Sequence, residues 1–478
     1  MCNFHRIRIV LLAFALAFSG SAAARSSLET SPSGSFVSAS RILIQNAALV
    51  ITMDPALGEG PLGIIEPGDV LFTRDRIVAV GKRLKASDAR VLDATGKIVL
   101  PGFVDVHNHL WQSIIRGCGT DQDLLGWLDQ CVFPMFKGII NEQEAYASVR
   151  LSTLDLIATG VTTVLDWSHG FTSEFVKGNL RALHDSGLRF VYAYWVTQPN
   201  HDEVRRIKKE LIDTNPRARF QIAAHPSMKL LEDLTKAAQL AQELHVPLNL
   251  HVNENIKERE DEPFKAMELA GAFKVQLVAN HAVHLTNQEI ALLARHGTRV
   301  THNPLSNMRL ASGIMRLPEM HAAGVAVGLG LDGGTNDTSD MFANMKAAVG
   351  LQRARFQRAD TFPTLAEVLR MATLGGTEVL DMEEAIGSLT PGKKADLIIL
   401  DPSALNFAPR FDWISQIVLN GQPTNGEYVF VDGRSLKAGG KLVGVSGTAI
   451  VQAAEQAAQR VKKALEELKN EQVQIGSD

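Results

Sequence analysis

The sequence predicts an α/β protein: a TIM-like (β/α)8 barrel with a small β-sandwich domain built from the segments that flank it. Three observations carry this. Between residues 99 and 390, eight apolar, strand-like runs alternate with stretches of helical spacing. Short β-like runs punctuated by Gly and Pro precede this region at 41–98 and return after it at 391–446. No G-x-G-x-x-G follows the first barrel run, which disfavours an open dinucleotide-binding sheet of the same texture.

The elements follow in order. Met1 to Arg8 carries His5, Arg6 and Arg8, Ile9 to Phe18 is almost wholly apolar, and small residues lead to Ala24. This reads as a cleavable signal peptide over 1–24, and so as a secreted or periplasmic protein. The apolar run is too short for a comfortable membrane span. Residues 25–40 are Ser- and Gly-rich and read as a flexible leader. The first part of the β-domain contains ILIQNAALVITM, DVLFTRDRIVAVG and KIVLPG. The barrel runs are FVDVHNH (103–109), VTTVLDW (161–167), RFVYAYW (189–195), RFQIAAHP (219–226), PLNLHVN (247–253), VQLVANHAVH (275–284), TRVTHNP (298–304) and VAVGLGLD (325–332). The second part of the β-domain is read from ADLIILD, WISQIVLNG, EYVFVDG and KLVGV, taken as strands. Residues 447–478 form a C-terminal helix and tail. The amphipathic stretch Ile450–Leu468 suits packing or contact between copies of the chain, giving a homo-oligomer.

A formal net charge of -4 over 478 residues, without a long basic run, excludes nucleic acid and an anionic membrane as main partners. A small-molecule substrate fits instead. After loss of the leader only Cys118 and Cys131 remain, with no C-x-x-C pair. Each reads as a small core residue, although export permits a disulfide between them.

The polar residues that could carry chemistry fall at the C-terminal ends of the barrel runs, where such barrels build active sites. His107 and His109 share one strand face, since side chains two apart point the same way, and two imidazoles there can grip one metal ion. His251 ends the fifth run, His281 and His284 the sixth, and Asp332 the eighth. This repetition around the ring points to a metal site rather than scattered histidines. Asp105 lies deeper on the first strand, where a structural role is expected.

The segments LPGFVDVHNHLWQSIIRG, LNLHVNE, NHAVHL, THNPLSNMRLASG, GLGLDGGTNDTSDMF and GSLTPGKKADLIILD span nearly the whole chain after the leader. In that order they resemble the amidohydrolase superfamily, in particular its cytosine-deaminase-like and triazine chlorohydrolase group. The resemblance implies one divalent metal ion held by His107, His109, His251 and Asp332, with zinc the usual metal and ferrous iron the alternative. Binuclear relatives carry a bridging lysine at the end of the fourth strand; RFQIAAHPS has none.

The resemblance also implies roles. A metal lowers the pKa of water bound to it. Asp332 would take the water's proton, His284 would orient the water or steady the oxyanion, and Glu254, in the family's H-x-x-E, would carry protons to a ring nitrogen and the leaving amine. Gln112 and His225 are substrate-binding candidates beside Glu254. Trp111, Trp167 and His169 are candidates for an aromatic pocket, and Asn303 and Asn336 for shaping its hydrogen bonds. His281 reads as a supporting residue rather than a ligand. Nucleoside-deaminating relatives place a glutamate where this chain has Phe136. A phenyl ring accepts no hydrogen bond from ribose, which favours a free base.

The expected activity is hydrolytic deamination of a purine, pterin or triazine-like heterocycle. Amide, cyclic-amide or halide hydrolysis on the same scaffold is the enzymatic alternative, and a non-catalytic metal-binding barrel is the alternative of another class.

Overall fold

The computed structural model describes residues 41–195, 201–336 and 338–475, so the signal peptide and leader expected over 1–40 lie outside the described residues. Eight parallel strands form the central sheet, with neighbours in chain order. They are β1 (Phe103–Asn108), β2 (Val161–Ser168), β3 (Arg189–Trp195), β4 (Ala218–Ala224), β5 (Leu248–Val252), β6 (Leu277–His281), β7 (Arg299–His302) and β8 (Val327–Leu329). Every residue of β1 and β2 is buried, as expected where helices cover one face and the barrel interior fills the other.

The ring closes just beyond β8. The amides of Leu331 and Asp332 both donate to the carbonyl of His107, at 3.0 and 2.8 Å. Buried Asp105 reinforces the seam, its Oδ1 accepting from the Leu331 amide at 2.9 Å and the His107 amide at 3.3 Å. The approach is close enough to require glycine at position 330. A Cβ there would lie 2.8 Å from His107 Cβ and 2.3 Å from Asn303 Oδ1.

The flanking segments form two sheets that share a core. One orders the strands Arg76–Gly81, Gly68–Thr73, Arg41–Ala47 and Arg90–Asp93. The other mixes both ends of the chain, with Leu397–Leu400 antiparallel to Ile98–Pro101. The expected boundary at residue 98 therefore falls inside a strand of the flanking sheet. Ile42, Ile44 and Phe72 of the first sheet pack against Val99, Ile399 and Phe430 of the second.

WISQIVLN, read from sequence as a strand, is a helix (Trp413–Asn420). The Asp412 side chain accepts from the Ser415 amide at 2.7 Å and caps its start. Ile414, Ile417 and Val418 also recur at helical spacing. The C-terminal helix is longer than the amphipathic stretch, running Gly447–Ile475. It buries Ala454, Ala457 and Val461, and Arg460 Nε donates to buried Glu144 at 2.5 Å, on the helix Glu142–Thr159.

Cys118 and Cys131 form a disulfide, which corrects their reading as separate core residues. The chain between them turns back on itself through a short helix at Leu124–Trp127, started by Asp123 accepting from the Gly126 amide at 3.0 Å. That turn brings together sulfurs 13 residues apart, a proximity that two isolated cysteines do not reveal. Opening a loop of this length is expected to destabilise the protein by about 3 kcal/mol. Denaturant unfolding of Cys131→Ser, or of wild type in reductant, should show the loss; an unchanged midpoint would refute it.

The barrel and sandwich are joined by a buried clamp. Arg189, at the start of β3, donates from Nε to Asp396 Oδ2 at 2.8 Å and from Nη2 to Asp396 Oδ1 at 3.2 Å, and also pairs with Asp432. Arg189→Met would strand two carboxylates in a low-dielectric joint and is expected to cost about 3–5 kcal/mol. Chemical denaturation measures this directly, and a loss below about 1 kcal/mol would mean the joint does not depend on the clamp.

Candidate metal centre and active site

The ends of β1, β5, β6 and β8 converge on one buried point. His107 Nε2 lies 3.1 Å and His109 Nε2 3.4 Å from Asp332 Oδ1. His251 and His281 join the same group, with donor atoms of His107, His251 and His281 within 4.8 Å of one another. The His251 ring stacks on His109 with centroids 5.4 Å apart and on His281 at 5.2 Å.

Neighbouring groups orient the donors. His109 Nδ1–H donates to the Trp167 carbonyl at 2.7 Å, so the lone pair on Nε2 faces the cluster. Asp332 Oδ2 accepts from Ser306 and, at 3.2 Å, from Thr335, leaving Oδ1 turned toward His107 and His109. Asp332 sits in the left-handed region at φ 58°, and His281 does likewise at 65°. Such backbone persists in non-glycine residues only where the surroundings enforce it.

The electrostatics suit a cation. Burial, then the neighbouring histidines, pushes His109 down to about 3; burial above all does the same to His281, at about 3. His251 is lowered well below the usual imidazole range, again chiefly by burial. These rings are therefore neutral near pH 7, the form that binds metals. Burial opposes ionisation of Asp332, but the facing His281, His107 and His109 outweigh it and hold the carboxyl below its usual range. Both ring nitrogens of His107 and Nδ1 of His251 are buried without a hydrogen-bond partner. Buried polar atoms are rarely left so, and a divalent cation among these donors would take up one nitrogen of each ring. The residues thus fit the proposed ligand set His107, His109, His251 and Asp332.

The structure changes the assignment at β6. His284 Nε2–H donates to the Ser312 carbonyl at 2.6 Å, which commits that ring to holding a loop. His281 instead reaches the cluster, with Nε2 3.4 Å from Glu254 Oε2 and 3.9 Å from Asp332 Oδ2. The reason is local: β6 ends at His281, and the chain turns at Ala282, φ 48°, before His284 is reached. Asn303 and Asn307 contact the other side of the His281 ring, each with Nδ2 3.2 Å from Nδ1. Ser306, Thr335 and Asn307 were not singled out by residue-by-residue reading, although THNPLSNMRLASG and GLGLDGGTNDTSDMF contain all three.

Glu254 is buried beside His281. Burial first, then the charges of Asp332 and Glu258, raises its carboxyl well above the usual range. It lines a cavity of about 420 Å³ together with His109, His251 and Asp332. Gln112 and His225 line it too. The Gln112 side-chain oxygen accepts from the Gly334 amide at 3.0 Å, tying the loops after β1 and β8 together. The His225 ring stacks on His251 at 5.2 Å and meets Trp195 edge-on at 4.8 Å. Trp167 and His169 also face the cavity, whereas Trp111 lies behind its wall. Asn336 is buried with both amide atoms unpartnered. Phe136 is not a wall residue; it packs edge-on against Phe171 and Trp195 and is 40% exposed. Asp105 is structural, as expected, and burial raises its carboxyl to about 7.

Comparison with known proteins agrees with this architecture. The Amidohydrolase family model matches residues 98–436. A 5'-deoxyadenosine deaminase of Methanobrevibacter smithii is 31% identical over 88% of this chain and 98% of that protein. A 5-methylthioadenosine/S-adenosylhomocysteine deaminase of Symbiobacterium thermophilum is 32% identical over 78% of this chain and 90% of its own length. Among solved structures, an adenosine deaminase of Xanthomonas campestris with bound zinc superposes with a TM-score of 0.80 at 26% identity, covering 88% of this chain and 98% of that one. The atrazine chlorohydrolase TrzN of Arthrobacter aurescens shares the fold, with a TM-score of 0.77, 22% identity, and coverage of 87% of this chain and 100% of that one. The chain belongs to the amidohydrolase family. It is a hydrolase that acts on carbon–nitrogen bonds other than peptide bonds.

Two substitutions test the β6 assignment. His281→Gln is expected to lower kcat at least a hundredfold, the scale of a lost acid–base or polarising group. His284→Gln should keep kcat within a few-fold and act mainly on stability. Steady-state kinetics with thermal unfolding separates them, and the reverse pattern would restore His284 to the reaction. His107→Ala should independently reduce metal content from about one ion per chain to near zero by elemental analysis.

Proposed function

We propose that the protein is a hydrolytic deaminase of amino-substituted nitrogen heterocycles, a purine, pterin or triazine base, working with one zinc ion or, alternatively, iron. The observation that carries this reading is the buried Glu254, 3.4 Å from His281 Nε2 in the same cluster as Asp332. Burial and the charges of Asp332 and Glu258 raise its pKa above the usual carboxyl range, which favours the protonated form that can donate. Deamination needs such an acid, because the ring accepts a proton before the amine can leave.

A divalent cation held by His107, His109, His251 and Asp332 would supply a water nucleophile near neutral pH. The chain's own groups supply the rest. Asp332, held ionised, accepts the water's proton as the oxygen bonds to the ring carbon. Glu254 gives its proton to the adjacent ring nitrogen, takes up the proton of the new hydroxyl and passes it to the exocyclic amine, which departs as ammonia as the carbonyl forms; the proton held by Asp332 then restores Glu254. His281 polarises the oxygen on the carbon. The walls from Trp167 and Trp195 suit a flat ring and limit access of water.

The outer wall favours a base over a ribosylated substrate. Leu124, Leu128, Val132 and Phe133 line it and offer no acceptor for sugar hydroxyls. Asp261, also on the wall, is already engaged by Lys229 at 2.5 Å and by Ser227 at 3.3 Å. The named relatives act on nucleosides, so 5'-deoxyadenosine is the appropriate comparison beside adenine, guanine and an aminotriazine.

We further propose export to an oxidising compartment, supported by the charged and apolar start of the sequence and by the Cys118–Cys131 bridge. Among the described residues no helix is long and apolar enough to cross a membrane.

Ammonia release across that panel tests the activity, and release from none of the four would sink it. Glu254→Gln should keep the metal while lowering kcat by about 10²–10⁴-fold. Full turnover in that variant would remove the acid from the mechanism.

A further inference from the structure

We infer that His169 is a specificity-determining hydrogen-bond donor, aimed at an acceptor atom on the bound ring and held in its donating tautomer by Trp111. This rests on the reading of the site as one for a nitrogen heterocycle and extends it to a recognition contact. His169 follows β2 and is 5% exposed, with that exposure on the cavity it lines. Its Nδ1 receives a hydrogen bond from Trp111 Nε1 at 3.1 Å. An indole nitrogen only donates, so Nδ1 is the acceptor and the proton of the neutral ring sits on Nε2. Trp111 is not a lining residue and occupies Nδ1, so the Nε2–H is the polar group His169 has left to offer the cavity it lines.

The ring is also fixed in orientation. Phe171 stacks on it at 5.2 Å with an interplanar angle of 25°. Trp167 meets it edge-on at 5.3 Å and Trp195 at 5.7 Å. The result is an N–H held in a fixed orientation within a largely aromatic stretch of wall, beside the indole N–H of Trp167, which is buried without a partner. A planar heterocycle held between such walls can satisfy it only through a ring nitrogen or a carbonyl oxygen. Since the donor is locked before binding, little rotamer or tautomer freedom is lost when the contact forms. A ligand lacking the acceptor would leave the buried N–H unpaired, which is the arrangement that discriminates most strongly between near-identical rings.

Adenine and its 1-deaza, 3-deaza and 7-deaza analogues provide the probes, since each analogue lacks one ring acceptor. Binding to the metal-loaded enzyme is measured by calorimetry, alongside ammonia release from adenine. Wild type is expected to bind one of the three at least tenfold more weakly than adenine. His169→Phe, which keeps an aromatic ring and removes the donor, should bind that analogue and adenine within twofold of each other, with metal content unchanged. His169→Gln, which restores an N–H donor, should recover part of the discrimination. Nitrogen-15 NMR of ring-labelled enzyme reads the tautomer without any ligand: Nε2–H in wild type, and a mixture in Trp111→Phe. Undiminished discrimination in His169→Phe, or an Nδ1–H tautomer in wild type, would overturn the inference. Discrimination by His169 without ammonia release from any of the four panel compounds would leave it standing and refute the deaminase reading. Ammonia release with discrimination independent of His169 would do the opposite.

Discussion

The two hydrogen bonds from the Leu331 and Asp332 amides to the carbonyl of His107 govern both the barrel and its chemistry. They join the end of the last strand to the first, and they bring a carboxylate from the far end of the ring against the H-x-H pair. A β-sheet edge left open here would expose unpaired backbone groups and leave Asp332 without a defined position. Glycine at 330 permits the approach, since any side chain would collide with His107 and Asn303. Asp105 strengthens the same seam from inside the barrel. Its elevated pKa reflects a position selected for geometry at the expense of charge solvation.

From that seam the site acquires its electrostatic character. Four imidazoles crowd one buried volume, where burial and the neighbouring rings make protonation of His109 and His251 harder. The cost of burying them is offset if they share a cation, since neutral imidazoles are then satisfied as ligands. The same burial acts oppositely on the two carboxylates. Asp332 has the histidines around it and is pushed toward the ionised form, whereas Glu254 faces Asp332 and Glu258 and, with burial, is pushed toward the protonated form. Two carboxyl groups in one cavity are thereby separated into a base and an acid by environment alone. The aromatic wall of Trp167, His169 and Trp195 completes the division, presenting flat apolar surface where a heterocycle would lie and the His169 N–H where it would be read.

Much of this was legible before any coordinates. All eight barrel strands coincide with the expected runs, β2 and β4 each extending one residue beyond, because a parallel strand buried on both faces needs a continuous apolar stretch. His107, His109, His251 and Asp332 stood out because they punctuate those stretches at their C-terminal ends. The exceptions have specific causes. WISQIVLN is as apolar as a strand, and only the cap from Asp412 and the packing of Ile417 and Val418 make it a helix. His284 and His281 occupy one short motif, and sequence spacing could not show that the turn at Ala282 sends one ring to the cluster and the other to a loop carbonyl. Phe136, expected from the family resemblance to replace a substrate-binding glutamate, packs outside the cavity against Phe171 and Trp195.

By itself the sequence determined the barrel, its flanking β-domain and the identities of the residues that ring the site, since hydrophobic periodicity and strand-end position are encoded locally. The tertiary structure alone decided which histidine of the β6 motif reaches the metal-site cluster, whether Cys118 meets Cys131, and which nitrogen of His169 accepts from Trp111. Each of those depends on partners remote in the chain: Ser312 for His284, the turn through Leu124–Trp127 for the cysteines, and Trp111, 58 residues away, for His169. Long-range contacts of this kind leave no periodic trace, because they are set by how whole elements pack rather than by the residues alongside.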